Sequence, residues 1–281
     1  MFRWRYGLGV LPAVALLFLL GADAAVPRHE KVKPIRALLV TGGPHHDYEK
    51  QKDILSKGIS ARAPVEWTIA YDPIHDVGEG KKHLNPVFEK ADWATGFDVV
   101  VHDECCSEVK DEAIIARILE PHRQGLPAVV LHCGMHSYRS AGWPKMTPWF
   151  EFTGLPSTGH GPQRPIAITF TDKDHPITKG LSDWTTGNEE LYNNSAGKVL
   201  NTAHPLARGK QNVRNRDGKE RIDDYVVAWT NLYKGKTRVF ATTLGHHNAT
   251  VADGRYLDLV TRGLLWAVDK LDDAHLKAAE K

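Results

Sequence analysis

The chain has 281 residues, with 36 Lys and Arg against 34 Asp and Glu, a formal net charge of +2. A balance so near neutral, with no basic block or stripe, excludes a protein built to grip nucleic acid. With 42% hydrophobic residues, a chain this long can bury a large α/β core, as one domain or two small ones, without staples.

The first residues read as an export signal. Arg3 and Arg5 precede an apolar run from Leu8 to Leu20, and Ala22-Asp23-Ala24 supplies a small-x-small cleavage pattern. The run of about 13 residues falls short of the about 20 needed to cross a bilayer. The expectation is a signal peptide over 1–24, no stable membrane span after processing, and a periplasmic or extracellular product. Residues 25–34 form a polar lead-in, 35–270 one domain, and 271–281 a tail. The cysteines are Cys105, Cys106 and Cys133. An odd number in an exported chain leaves one thiol over, so at most one disulfide is expected; three reduced thiols are the alternative.

In chain order, Ile35–Thr41 is a short apolar strand. Asp47 then caps a helix to about Arg62, with Ile54 and Ile59 on its inner face. Val65–Ala70 is a second strand, and 71–96 a long loop with one helical turn. Phe97–Val101 is a third strand. Glu108–Gln124 is a helix stopped by Gly125 and Pro127, and Ala128–Leu131 is a fourth strand. Short apolar strands alternating with helices indicate a parallel sheet covered on both faces. Residues 134–164 make a long aromatic connection, of a length that usually serves function. Ile166–Phe170, Lys198–Thr202, Tyr225–Trp229 and Thr237–Thr243 read as strands, and Tyr256–Asp269 as an amphipathic helix. The charged stretch 208–224 reads as a solvated surface loop.

Four of the apolar runs lead directly into histidine: His45-His46, His102, His132 (with His136 one turn on) and His246-His247. Open α/β sheets bind ligands at the carboxyl ends of their strands. Imidazoles there are suited to proton transfer or metal ligation. Thr41-Gly42-Gly43-Pro44 has the form of a phosphate-cradling loop but lacks the nucleotide-binding patterns, so no nucleotide is expected. Asn188-Glu189-Glu190-Leu191-Tyr192 offers adjacent carboxylates, of which one is expected to face a site. The proposed catalytic set is His46, His132, Glu190 and His246. His46, His132 and His246 suit a divalent metal such as Zn²⁺ by ligand type. Gly43, His45, His102, His136, Tyr192 and His247 are expected around the substrate. His29, His83, His122, His160 and His275 are read as surface or structural. Cys133, at a strand-to-turn position near His136 and His102, sketches a thiol nucleophile, although the large Leu131 does not suit such an elbow. Trp143, Trp149 and Trp184, placed in irregular stretches, point to a carbohydrate, since flat aromatic faces stack on sugar C–H surfaces.

These segments together resemble the trehalose-utilisation (ThuA-like) family. The resemblance rests on Thr41-Gly42-Gly43 with His46-Asp47, the strand ending in His132, His175-Pro176-Ile177-Thr178 with Gly180-Leu181, Glu189-Glu190-Leu191-Tyr192, and Arg238-Val239-Phe240 through Leu244-Gly245-His246. It spans roughly residues 35–269. It implies the class I glutamine amidotransferase-like fold, a flavodoxin-like, mostly parallel sheet between helices, here with extra strands in the second half. It also implies a sugar-related role, with a small saccharide or glycoside as ligand and hydrolysis or elimination on a sugar, oxidised or not, as the chemistry. A homo-oligomer is compatible with it. Glutaminase activity is not implied, because no His-x-Glu closes a Cys-His-Glu triad in the last third. The alternatives are a non-catalytic carbohydrate-binding protein and a thiol hydrolase using Cys133.

Overall fold

A computed structural model describes residues 1–2, 32–74, 76–214 and 217–277. The expected signal peptide, nearly all of the lead-in and the end of the tail lie outside these residues. Val32–Lys281 makes up one compact unit. No helix among the described residues is long and apolar enough to cross a membrane.

Nine strands form one sheet. In chain order they are β1 (Ile35–Gly42), β2 (Val65–Asp72), β3 (Val99–Glu104), β4 (Ala128–Leu131), β5 (His160–Phe170), β6 (Trp184–Tyr192), β7 (Ala203–Arg214), β8 (Glu220–Tyr233) and β9 (Thr237–Thr242). Their spatial order is β2-β1-β3-β4-β9-β8-β7-β5-β6. The pairs from β2 to β9 are parallel and those from β9 to β6 antiparallel. The expected parallel sheet is therefore the first half, and the extra strands extend it antiparallel. The helices are α1 (Tyr48–Ser60), α2 (Val77–Gly80), α3 (Glu112–Gln124), α4 (Pro148–Thr153), α5 (Asn248–Val251) and α6 (Gly254–Ala267).

Period-2 alternation divides the parallel strands between two cores. Leu39, Val101, Val129 and Phe240 face Leu55 and Ile59 of α1 and Leu259, Val260 and Leu264 of α6. Their neighbours Leu38, Val100, Val130 and Ala241 face Ile115 and Ile118 of α3 and Trp149 and Phe152 of α4. Both faces are covered, which is why these strands read as unbroken apolar runs.

Several expectations need correction. Lys198–Thr202 is not a strand; it precedes β7, which begins at Ala203. The charged stretch 208–224 is not a loop but the arms of the β7–β8 hairpin. Arg208, Lys210 and Arg214 alternate with buried Gly209, Gln211 and Val213, a period of two hidden by the density of charge. β3 runs on through His102, Asp103 and Glu104. Trp184 is in β6, and Trp149 is fully buried in α4; of the aromatic trio only Trp143 is exposed.

Candidate functional site

β1, β4 and β9 all end on the same edge of the sheet, and each turn that follows delivers one imidazole. After β1 the chain bends at Gly42 and Gly43 (φ +136° and +102°). A Cβ on Gly43 would stand 2.8 Å from the Cys105 carbonyl oxygen, so this glycine permits close backbone approach. Asp47 caps α1 through the Lys50 amide, which places His46 just ahead of the helix. After β4, His132 itself has φ +38°, a left-handed conformation uncommon for a side-chain-bearing residue and concentrated at functional sites. After β9, Gly245 turns with φ +124°, and His246 follows.

The three rings meet. Centroid separations are 4.8 Å for His46–His132, 4.8 Å for His46–His246 and 5.4 Å for His132–His246. One nitrogen from each lies within 4.8 Å of the other two. Glu190 of β6 completes the cluster. Its Oε2 is 3.3 Å from His246 Nδ1, 3.7 Å from His132 Nε2 and 3.6 Å from His160 Nε2. Gln163 donates to its Oε1 at 3.3 Å.

The adjacent acids divide their work, as alternation along a strand requires. Glu190 faces the imidazoles. Glu189, fully buried, accepts from the backbone amides of Gly245, His246 and His247 at 3.3, 3.1 and 3.1 Å. It thereby fixes the turn that carries His246. Gln51 of α1 donates to the Gly245 and His246 carbonyls at 3.2 Å each, and Asn248 donates to Asp47 at 2.8 Å. The β1 and β9 turns are thus tied to each other as well as to β6.

Electrostatics set the protonation states. Burial, aided by the neighbouring imidazoles, holds His46 well below the usual histidine range, and burial does the same to His132. Both are neutral at physiological pH. His132 Nδ1–H donates to the Thr243 carbonyl at 2.7 Å, leaving the Nε2 lone pair toward the cluster. That is the arrangement which orients a metal-ligating histidine. Among the described residues Nδ1 of His46 is buried without a hydrogen-bond partner, while Nδ1 of His246 faces Glu190 Oε2 at 3.3 Å. Three convergent imidazoles, one with an orphaned nitrogen, and one carboxylate fit a divalent cation by donor type. Burial acts to raise Glu190, but the hydrogen bond from His246, the imidazoles and Gln163 outweigh it and bring its pKa below the usual value. It is a carboxylate. Burial pushes the Tyr192 phenol well above its ordinary range, so its hydroxyl stays a donor, 3.3 Å from His132 Nε2.

A cavity of about 450 Å³ opens over the cluster. His45, His136 and Tyr192 line it. His136 stacks on Tyr192 at 4.0 Å and bonds Ser157 at 2.8 Å. His247 lies in an adjoining hollow with Asn188 and Asn248 and bonds Gln163 at 3.2 Å. His102 is a correction: it is fully buried, 2.8 Å from Glu104 and 3.1 Å from His122, between Phe88, Trp149 and Phe152. Because β3 continues two residues past it, His102 is inside the sheet and not at its edge. His160, read as surface, is exposed and also lines the cavity beside Glu190; no apolar run leads into it, so no local signal marked that placement. Lys81, Arg139 and Gln163 also line the cavity without having been anticipated. Cys133 is joined to Cys105 and offers no thiolate, while Cys106 is free and buried.

An antiparallel-extended α/β sheet with a His/Glu cluster at its strand ends defines the class. The family model described as "ThuA: Trehalose utilisation" matches residues 36–267. The chain belongs to the ThuA family. Among solved structures, a ThuA-like protein from Parabacteroides merdae ATCC 43184 superposes with a TM-score of 0.60 at 21% identity, covering 88% of this chain and 93% of that one. A ThuA-like protein from Bacteroides uniformis ATCC 8492 does so at 0.60 and 14% identity, covering 89% and 98%. The GH42 β-galactosidase Gan42B matches at 0.51 and 10% identity, over 85% of this chain but 30% of its own. No curated protein matches.

Proposed function

We propose that this chain is an exported enzyme acting on a small saccharide or glycoside by hydrolysis or elimination. His46, His132 and His246 hold a divalent cation such as Zn²⁺, and Glu190 serves as the base. The single observation that carries this reading is the meeting of three imidazoles and a carboxylate from four separate strand ends. When bound there, the ion supplies Lewis acidity and a lowered pKa for a bound water or hydroxyl. Glu190, ionised and held by Gln163, accepts a proton at Oε2. The Tyr192 hydroxyl, kept protonated by burial, donates a hydrogen bond into the same space. The family's description supports a sugar-related ligand. The Cys105–Cys133 disulfide supports an oxidising compartment. It also removes the sulfur that a thiol hydrolase would need.

The test combines elemental analysis of untagged protein, purified without chelators, with product analysis on a panel of disaccharides and their oxidised derivatives. Stoichiometric metal and turnover are expected. Both should be lost in His132→Ala and His246→Ala while circular dichroism is unchanged. Full activity in both variants would refute the reading. Saccharide binding without any product would favour a binding protein in its place.

A further inference from the structure

The same cavity carries a basic pair that the His/Glu chemistry does not use. Arg139 follows the β4 turn and is half-buried. Its Nε donates to the His136 carbonyl at 3.0 Å, and Trp143 covers one face of its guanidinium, 5.2 Å from Cζ to the ring centroid. Those contacts hold the planar group still; Glu108 acts on its charge from a distance, and among the described residues no ion pair engages its terminal nitrogens. Lys81, also half-buried on the cavity wall, likewise makes no ion pair among the described residues. Two acids share the cavity. Glu190 is encircled by imidazoles at 3.3 to 3.7 Å, and the outer acid, Glu108, is drawn to Lys110 at 2.7 Å and feels Arg139 and Lys81 only from farther away.

A half-buried cation without a close ion pair is costly, and a fixed guanidinium edge matches carboxylate and phosphate oxygens in pairs. We propose that Arg139 and Lys81 form an anion subsite, so that the saccharide taken by this cavity carries a negatively charged substituent, a carboxylate or a phosphate. This rests on reading the cavity as a substrate site. It adds that neutral sugars are the poorer ligands. Arg139 supplies the bidentate contact and Lys81 a movable point charge.

The test is calorimetric titration of the full chain as purified with methyl β-glucuronide, glucose 6-phosphate and methyl β-glucoside. One of the anionic probes should bind about tenfold or more tighter than the neutral glucoside, the worth of a charge-assisted hydrogen bond. The margin should shrink as salt is raised. A tighter uronide identifies the carboxylate, a tighter sugar phosphate the phosphate. Arg139→Gln and Lys81→Gln should erase the preference; Arg139→Lys, which keeps charge and loses the fork, should retain part of it. Equal affinity for neutral and anionic probes, failure of both anionic probes to bind at millimolar concentration, or a preference that survives in the Arg139→Gln/Lys81→Gln double variant overturns the proposal. The readout is binding alone, so an inactive cluster defeats the catalytic reading without touching this one.

Discussion

Lowering the pH should unfold this protein through a histidine that lies away from the site. His122 of α3 is fully buried. Its Nδ1–H donates to the Leu126 carbonyl at 2.8 Å, so Nε2 is left to accept from His102 at 3.1 Å. Phe152 packs on the ring at 4.7 Å and Trp93 at 6.1 Å. Burial, with the nearby His102, lowers the imidazole from 6.5 to about 3. In the unfolded chain it takes its proton near 6.5, so below that pH protonation favours unfolding. The stability it contributes is full above 6.5 and drains away toward 3. The slope for one such group is about 1.4 kcal/mol per pH unit, so about 2 kcal/mol is lost between pH 7 and pH 5. Urea denaturation at pH 7, 6 and 5 measures this directly. His46, His132 and His136 are lowered by burial too, and the comparison with His122→Gln isolates the one residue. Gln keeps a donor and an acceptor but does not titrate. The variant should be less stable at pH 7 from lost ring packing, yet its pH dependence should be shallower by the amount above. An identical slope in the two proteins would show that His122 is not a buried neutral group.

Two further outcomes bear on packing and covalent structure. Gly263 of α6 lies over β9, where an added Cβ would come 2.3 Å from the Phe240 ring; Gly263→Ala should therefore cost about 1–3 kcal/mol in chemical denaturation, as overpacked cores do, and an unchanged midpoint would contradict this helix–sheet approach. Thiol titration of the denatured, unreduced chain should find only Cys106, and all three cysteines after reduction; three reactive thiols without reductant would rule out the Cys105–Cys133 bond.

Much of the site can be read from the chain because it obeys a topological rule. His46, His132 and His246 each follow an apolar parallel strand, and ends of parallel strands share an edge. The same rule misplaces His102, since polar residues can remain within a strand when buried partners satisfy them, and Glu104, Tyr138 and His122 do so here. Strand alternation explains why one acid of the pair faces the imidazoles, although the contact of β6, an edge strand separated from β9 by β8, β7 and β5, with the turn after β9 leaves no local mark. His160, Arg139 and Lys81 reach the cavity through long-range packing of irregular segments, and their neighbours in sequence carry no periodic pattern. The β7–β8 hairpin escapes detection because its exposed arm is dense in charge, which masks the alternation beneath.

The division of the sheet also has a consequence for biosynthesis. β1 and β4 bring His46 and His132 early in the chain, but Glu190 and the clamp on the last turn come from β6, and His246 from beyond β9. No contiguous fragment shorter than most of the protein contains the complete set. A ribosome-bound chain that stops short of β9 therefore lacks His246 and cannot close the His/Glu cluster, so its geometry exists only once the polypeptide is nearly finished.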